Sequence, residues 1–188
     1  MIALLENFVV ALKFHKLFQV FTIFIRYLLG SAFVWASILK IRGVRFTPQS
    51  AELAPIDSLP HLLEAMYRSG FYWSFIGWAQ FITGFLLMTQ TFSTLGAVLY
   101  FPMMLSIFIL TTDFQAPGIL LVTSLMLLAN MYLLVWDYNR LKFIVVNKPS
   151  EYVDQTTPFT RHTIWTFIGI ALWIVLVVFR VVTTRSFA

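Results

Sequence analysis

A chain of 188 residues that is 60% hydrophobic and only 11% charged, with mean hydropathy +0.84, is not an ordinary soluble domain, in which about a quarter of residues carry charge. The absence of cysteine excludes disulfides, thiolate metal sites and thiol relays. The net charge of +5 contains no dense basic cluster, which excludes a nucleic-acid partner and assigns the excess to the flanks of membrane spans.

Residues 2–16 place Leu4, Leu5, Phe8, Val9 and Leu12 on one helical stripe, with Glu6, Asn7, Lys13 and Lys16 off it or at its end. This reads as an amphipathic segment, 1–16, that either lies in the membrane interface or extends the first span outward. It lacks the positive n-region of a cleavable signal. A first span is expected over about 17–39, because roughly 20 apolar residues cross the hydrocarbon. Residues 41–70 hold Pro48, Pro55 and Pro60 with Glu52, Asp57 and Glu64, the composition of a solvated loop. Within it Leu59, Leu62, Leu63 and Met66 predict a short interfacial helix with Ser58 as its cap.

Spans 2 and 3 are expected at about 71–90 and 92–110, a tight antiparallel hairpin in which Pro102 kinks the second helix. TTDFQAP (111–117) makes a turn with Asp113 as a solvated cap, and span 4 covers about 118–136. LKFIVV is too short to span and continues along the interface. A polar linker, 144–162, leads to a fifth span at about 163–181 and a tail to 188. An odd number of spans puts the termini on opposite sides. Lys13, Lys16, Arg140, Lys142, Lys148 and Arg161 then share side A with the N-terminus; Lys40, Arg42, Arg45, Arg68, Arg180 and Arg185 share side B. That balance leaves the positive-inside rule undecided. Trp35 and Trp73 mark the B interface and Trp136 and Trp165 the A interface, while Trp78 and Trp173 read as packing residues.

RYLLGSAFVWASILKI in span 1, FYWSFIGWAQFITGFLL in span 2 and NMYLLVWDYNRLK at the end of span 4 together resemble the DoxX-like membrane family. The resemblance covers about residues 20–143. It implies an all-α, four-helix transmembrane bundle over 17–143 with 163–188 as an appended helix, in a bacterial inner membrane with the N-terminus cytoplasmic. Related four-helix proteins include accessory subunits of quinone-linked oxidoreductases, receptor-assembly chaperones and cargo receptors. Gln80 stands where the family leads one to expect glutamate, which weakens any case for proton chemistry there.

Counting depth from side A at about 1.5 Å per residue, Arg26, Gln80, Tyr100 and Asn130 come to similar levels on four helices, with Asp137 at the edge. Arg26, Gly30, Phe33 and Ser37 share a face, as do Gly77, Gln80 and Gly84, and Thr123, Asn130 and Asp137. Two readings stand. In one, Arg26 is neutralised by Asp137 and held by Asn130 and Gln80, and the cluster only fixes helix packing. In the other, Gly30, Gly77 and Gly84 leave room for a pocket, and Arg26, Gln80, Tyr100, Asn130 and Asp137 bind the head of a membrane lipid or a quinone. Lys40, Arg42 and Arg45 read as a headgroup-binding cluster. Met103, Met104 and Met126 are core filler, and His61 is a surface residue.

His15, His61 and His162 all lie outside the apolar runs, so no haem, metal or other cofactor is expected. No Ser-His-Asp, HExxH, P-loop or GxGxxG pattern occurs. The expected function is a non-catalytic accessory subunit or binder of lipid or quinone, docking a membrane oxidoreductase. The alternative is an assembly factor packing against the helices of another membrane protein.

Overall fold

A computed structural model describes residues 13–47, 49–145 and 163–185. Most of the N-terminal amphipathic segment and residues 146–162 of the linker lie outside the described residues. Among the described residues seven helices follow in order: α1 Lys16–Ile41, α2 Leu59–Arg68, α3 Phe71–Met88, α4 Ser93–Asp113, α5 Pro117–Trp136, α6 Tyr138–Val145 and α7 Thr163–Arg185. Five of them, α1, α3, α4, α5 and α7, are long and apolar enough to cross a membrane. The architecture is that of an all-helical integral membrane protein, and the described residues contain no strand.

Local chemistry sets the ends of these helices. At the C-terminus of α1, Gly43 adopts a φ of +62°, and the Val44 amide donates back to the Leu39 carbonyl at 2.9 Å. Proline occupies the first turn of both α2 and α5, where its missing N–H loses no helical bond. Pro102 lies within α4, which continues past it to Asp113. Ser58 has the extended backbone of a cap, but its hydroxyl donates to the Pro55 carbonyl at 2.6 Å, so the expected side-chain cap is not formed. Asp137 separates α5 from α6 while its carbonyl accepts from the Arg140 and Leu141 amides.

Consecutive spans are antiparallel. α1 packs most extensively on α3, α3 on α4 and α4 on α5, and α5 returns to α1. α7 lies against α1 and α3 from outside, parallel to α1. It is tied there by the Tyr27 hydroxyl donating to the Trp165 carbonyl and by Trp35 stacked on Phe179. The core joins Ile25, Leu29 and Phe33 of α1 to Leu87, Ala97, Tyr100, Met104 and Leu133, with Met103 and Met126 filling beside it. Trp173 packs between Phe81 and Phe85 as expected, but Trp78 is 51% exposed. Gly77 holds the inner face of α3, and the next residue lies about 100° round the helix. His61 is partly buried, and Asp113 is exposed.

Small residues set the α1–α3 crossing. A Cβ on Gly84 would lie 2.8 Å from the Gly30 carbonyl oxygen, and one on Gly30 2.9 Å from the Gly84 oxygen. A Cβ on Gly77 would meet Lys40 Cβ at 2.8 Å and the Ile41 amide at 2.9 Å. The facing backbone fills the room expected beside these glycines, so they are helix contacts and do not border a cavity.

On side B, Glu64 gathers the loop. It accepts from Arg45 Nε at 3.0 Å, Arg45 Nη2 at 3.1 Å, Arg68 Nε at 3.2 Å and the Ala51 amide at 3.5 Å. Bonds to the ionised form hold its carboxyl down at about 2, below the ordinary 4.5, with Arg45 the first cause. A depressed carboxylate stabilises fully above its unfolded value and loses that contribution as the pH falls through its folded value. Glu64→Gln is therefore expected to lower the melting temperature in lipid nanodiscs at pH 6. The difference from the native protein should shrink between about pH 4.5 and 2. A difference that stays constant down to pH 2.5 would show that the clamp does not depend on the ionised carboxylate.

Candidate polar site at the side-A end of the bundle

Arg26 sits in the middle of an apolar helix, yet its guanidinium ends near side A. An α-helical side chain leans toward the helix N-terminus, here the A end, and arginine is long enough to cover another turn. The residue is 4% exposed. Nη1 donates to Gln90 Oε1 at 2.9 Å, and Nη2 faces the Asp137 oxygens at 3.3 and 3.5 Å. The Thr94 hydroxyl donates to Asp137 Oδ2 at 2.9 Å, and Arg140 Nη1 donates to the Thr94 oxygen at 3.1 Å.

Each partner comes from a helix end. Gln90 lies in the turn between α3 and α4 with a left-handed φ of 58°. That conformation is uncommon for a residue with a side chain, and here it accompanies an amide aimed at Arg26. Thr94 is in the first turn of α4, and Asp137 closes α5. Beside them the Thr22 hydroxyl donates to the Phe18 carbonyl at 2.8 Å, so across the 2.9 Å contact with Tyr132 the tyrosine is the donor. Lys13 lies 5.9 Å over the Trp136 ring.

The structure brings Arg26 and Asp137 together and separates them from the other three expected residues. Gln80 precedes Gln90 by ten positions, about 15 Å along a helix, and Asn130 precedes Asp137 by seven, about 10 Å. A guanidinium bonded at the A end does not reach either. Asn130 Nδ2 instead donates to the Ala97 carbonyl at 3.1 Å, and Tyr100 stacks on Phe33 with centroids 3.8 Å apart.

The expected headgroup cluster also divides. Lys40 is 7% exposed; its amine donates to the Ala36 carbonyl at 3.0 Å beneath the rings of Phe46 and Trp73, 5.0 and 5.2 Å away. The backward lean of helical side chains carries the amine into the bundle, and the two ring faces take the place of water. Arg45 is held by Glu64. Arg42 alone of the three is exposed, with Nη1 on the Val181 carbonyl at 3.2 Å.

No family model, no curated protein and no solved structure matches this chain.

The sequence reading did not find Gln90, Thr94, Arg140, Thr22 or Tyr132. A signal for the first two was present in TQTFST (89–94), a polar run between two spans placed where an arginine reaching toward side A would end. Counting depth by backbone position alone hid it. Among the described residues no group of three His, Cys, Asp or Glu comes together as a metal site.

Proposed function

We propose that the protein is a non-catalytic membrane protein of DoxX-like type, an accessory subunit or binder in a bacterial inner membrane. Its side-A end takes the acidic head of a membrane lipid, or a quinone, and docks a membrane oxidoreductase. The observation that carries this reading is the Arg26–Asp137 pair. A buried ion pair within a span is a functional candidate by default, and at 3.3 and 3.5 Å this one is wider than the 2.7–2.9 Å of a tight charge-assisted bond. A phosphate or carboxylate could share the guanidinium without dismantling a closed fork. A phosphate would accept better than a quinone carbonyl, so lipid is the favoured ligand.

Native mass spectrometry of protein released from its own membrane tests this. A stoichiometric acidic lipid or quinone is expected, and Arg26→Lys, which keeps the charge but loses the planar fork, should reduce its occupancy about tenfold. A bare protein, or an adduct indifferent to Arg26→Lys, would sink the reading. A stoichiometric membrane protein without a small molecule would favour the assembly-factor alternative. That alternative draws support from the α1–α3 crossing, where packed glycines replace the expected cavity.

A further inference from the structure

Deeper in the bundle, three side-chain oxygens have no partner among the described residues: Asn130 Oδ1, the Tyr100 hydroxyl and Gln80 Oε1. Asn130 and Tyr100 are completely buried and Gln80 nearly so. Their positions follow one seam. Asn130 meets α4 at Ala97, and Tyr100 lies three residues further along α4 toward side B, against Phe33 of α1. On α3, Gly84 faces Gly30 and Gly77 faces Lys40, which sets Gln80 between them, opposite the Phe33–Ser37 turn. Counted along the backbones, Tyr100 stands about 4.5 Å from Ala97 toward side B, and Gln80 stands across from the α1 residues that follow Phe33.

The chemistry at Asn130 is one-sided. Asn130 is fixed in orientation, since turning its amide over would set Oδ1 against the Ala97 carbonyl oxygen. Its oxygen is therefore an acceptor in need of a donor. Tyr100 can donate as well as accept. A buried acceptor without a partner is costly in a low dielectric, and folded proteins satisfy such groups with water or a ligand when no protein group does so. An acyl chain offers Asn130 no donor, and a quinone carbonyl would bring oxygen against oxygen.

We infer that the seam between α1, α3, α4 and α5 is a site for hydrogen-bond donors at Asn130, Tyr100 and Gln80. Its occupant is ordered water or the hydroxyl or amine head of an amphiphile. The site lies about two helical turns from Asp137 and does not depend on what Arg26 binds.

Tyr100→Phe tests it, because the substitution keeps the ring on Phe33 and removes only the oxygen. With a donor or acceptor on the hydroxyl, the melting temperature in nanodiscs falls by about 2–4 °C. An unchanged or raised melting temperature overturns the inference, since deleting an unbonded buried hydroxyl relieves the fold. An experimental structure at about 2 Å resolution separates the sources. Isolated peaks within hydrogen-bond distance of Tyr100 and Asn130 Oδ1 are water, and connected density ending in a hydroxyl or amine is an amphiphile. A seam without density overturns the site. Arg26→Lys leaves these groups untouched, so its outcome and this one are read apart.

Discussion

Asp137→Leu is expected to destabilise the protein by about 3–5 kcal/mol, the usual loss when one member of a buried ion pair is removed and the other stays. Arg26 is left within a membrane-spanning helix with Gln90 as its remaining side-chain acceptor among the described residues, and the Thr94 hydroxyl loses the oxygen it donates to. Arg26→Leu should be less harmful, because Asp137 stands at the end of α5 and keeps its bond from Thr94. The double substitution to leucine should recover much of the loss, since an apolar pair of similar volume often replaces a buried ion pair at little net cost. Thermal unfolding of the four proteins in nanodiscs completes the cycle and isolates the coupling energy. If Asp137→Leu shifts stability by less than about 1 kcal/mol, the ordinary worth of an exposed pair, Arg26 reaches the headgroups by itself and the pair is incidental.

The spans were legible because their signal is thermodynamic and local. Lengths near 20 apolar residues, bounded by the solvated loop 41–70 and the TTDFQAP turn, place every span within a few residues of the helix observed. The pairing of Arg26 with Asp137 was legible too, since a buried cation requires an anion and Asp137 closes the neighbouring span. What stayed hidden depends on side-chain reach and on backbone conformation in turns. Arg26 ends one level nearer side A than its Cα, which exchanges Gln80 for Gln90 as its amide partner. Gln90 meets it only through a left-handed turn that the sequence TQTF does not announce. Lys40 turns inward beneath Phe46 and Trp73, although a lysine at a span end ordinarily reaches outward. The glycines were read on the correct face, with helix contact and cavity border both left open; the structure takes the first. A stripe of small residues looks the same in sequence whether it borders a cavity or a neighbouring backbone.

Gly84→Leu decides between those two meanings. If the glycines bordered a cavity, a leucine would fill it and the fold would survive. In this structure the first atom beyond Cα already collides: Cβ would lie 2.8 Å from the Gly30 oxygen and 2.9 Å from Val34 Cγ2. The oxygen belongs to the main chain of α1 and has no rotamer to escape into, so the helices must part. Close approach of this kind lets van der Waals packing hold membrane helices together where lipid offers no hydrophobic driving force. Separating α1 from α3 also pulls Arg26 away from Gln90, because the two sit on opposite sides of that crossing. The expected loss exceeds the about 1–3 kcal/mol typical of an overpacked core, and most of the protein should elute as aggregate in fluorescence-detected size-exclusion chromatography. Gly118→Leu is the control: its Cβ meets nothing within 4 Å, and its profile should match that of the native protein. A sharp, native-like peak for Gly84→Leu would mean that the two helices stand further apart than 2.8 Å contacts allow. It would return the cavity reading and with it a ligand lying between α1 and α3.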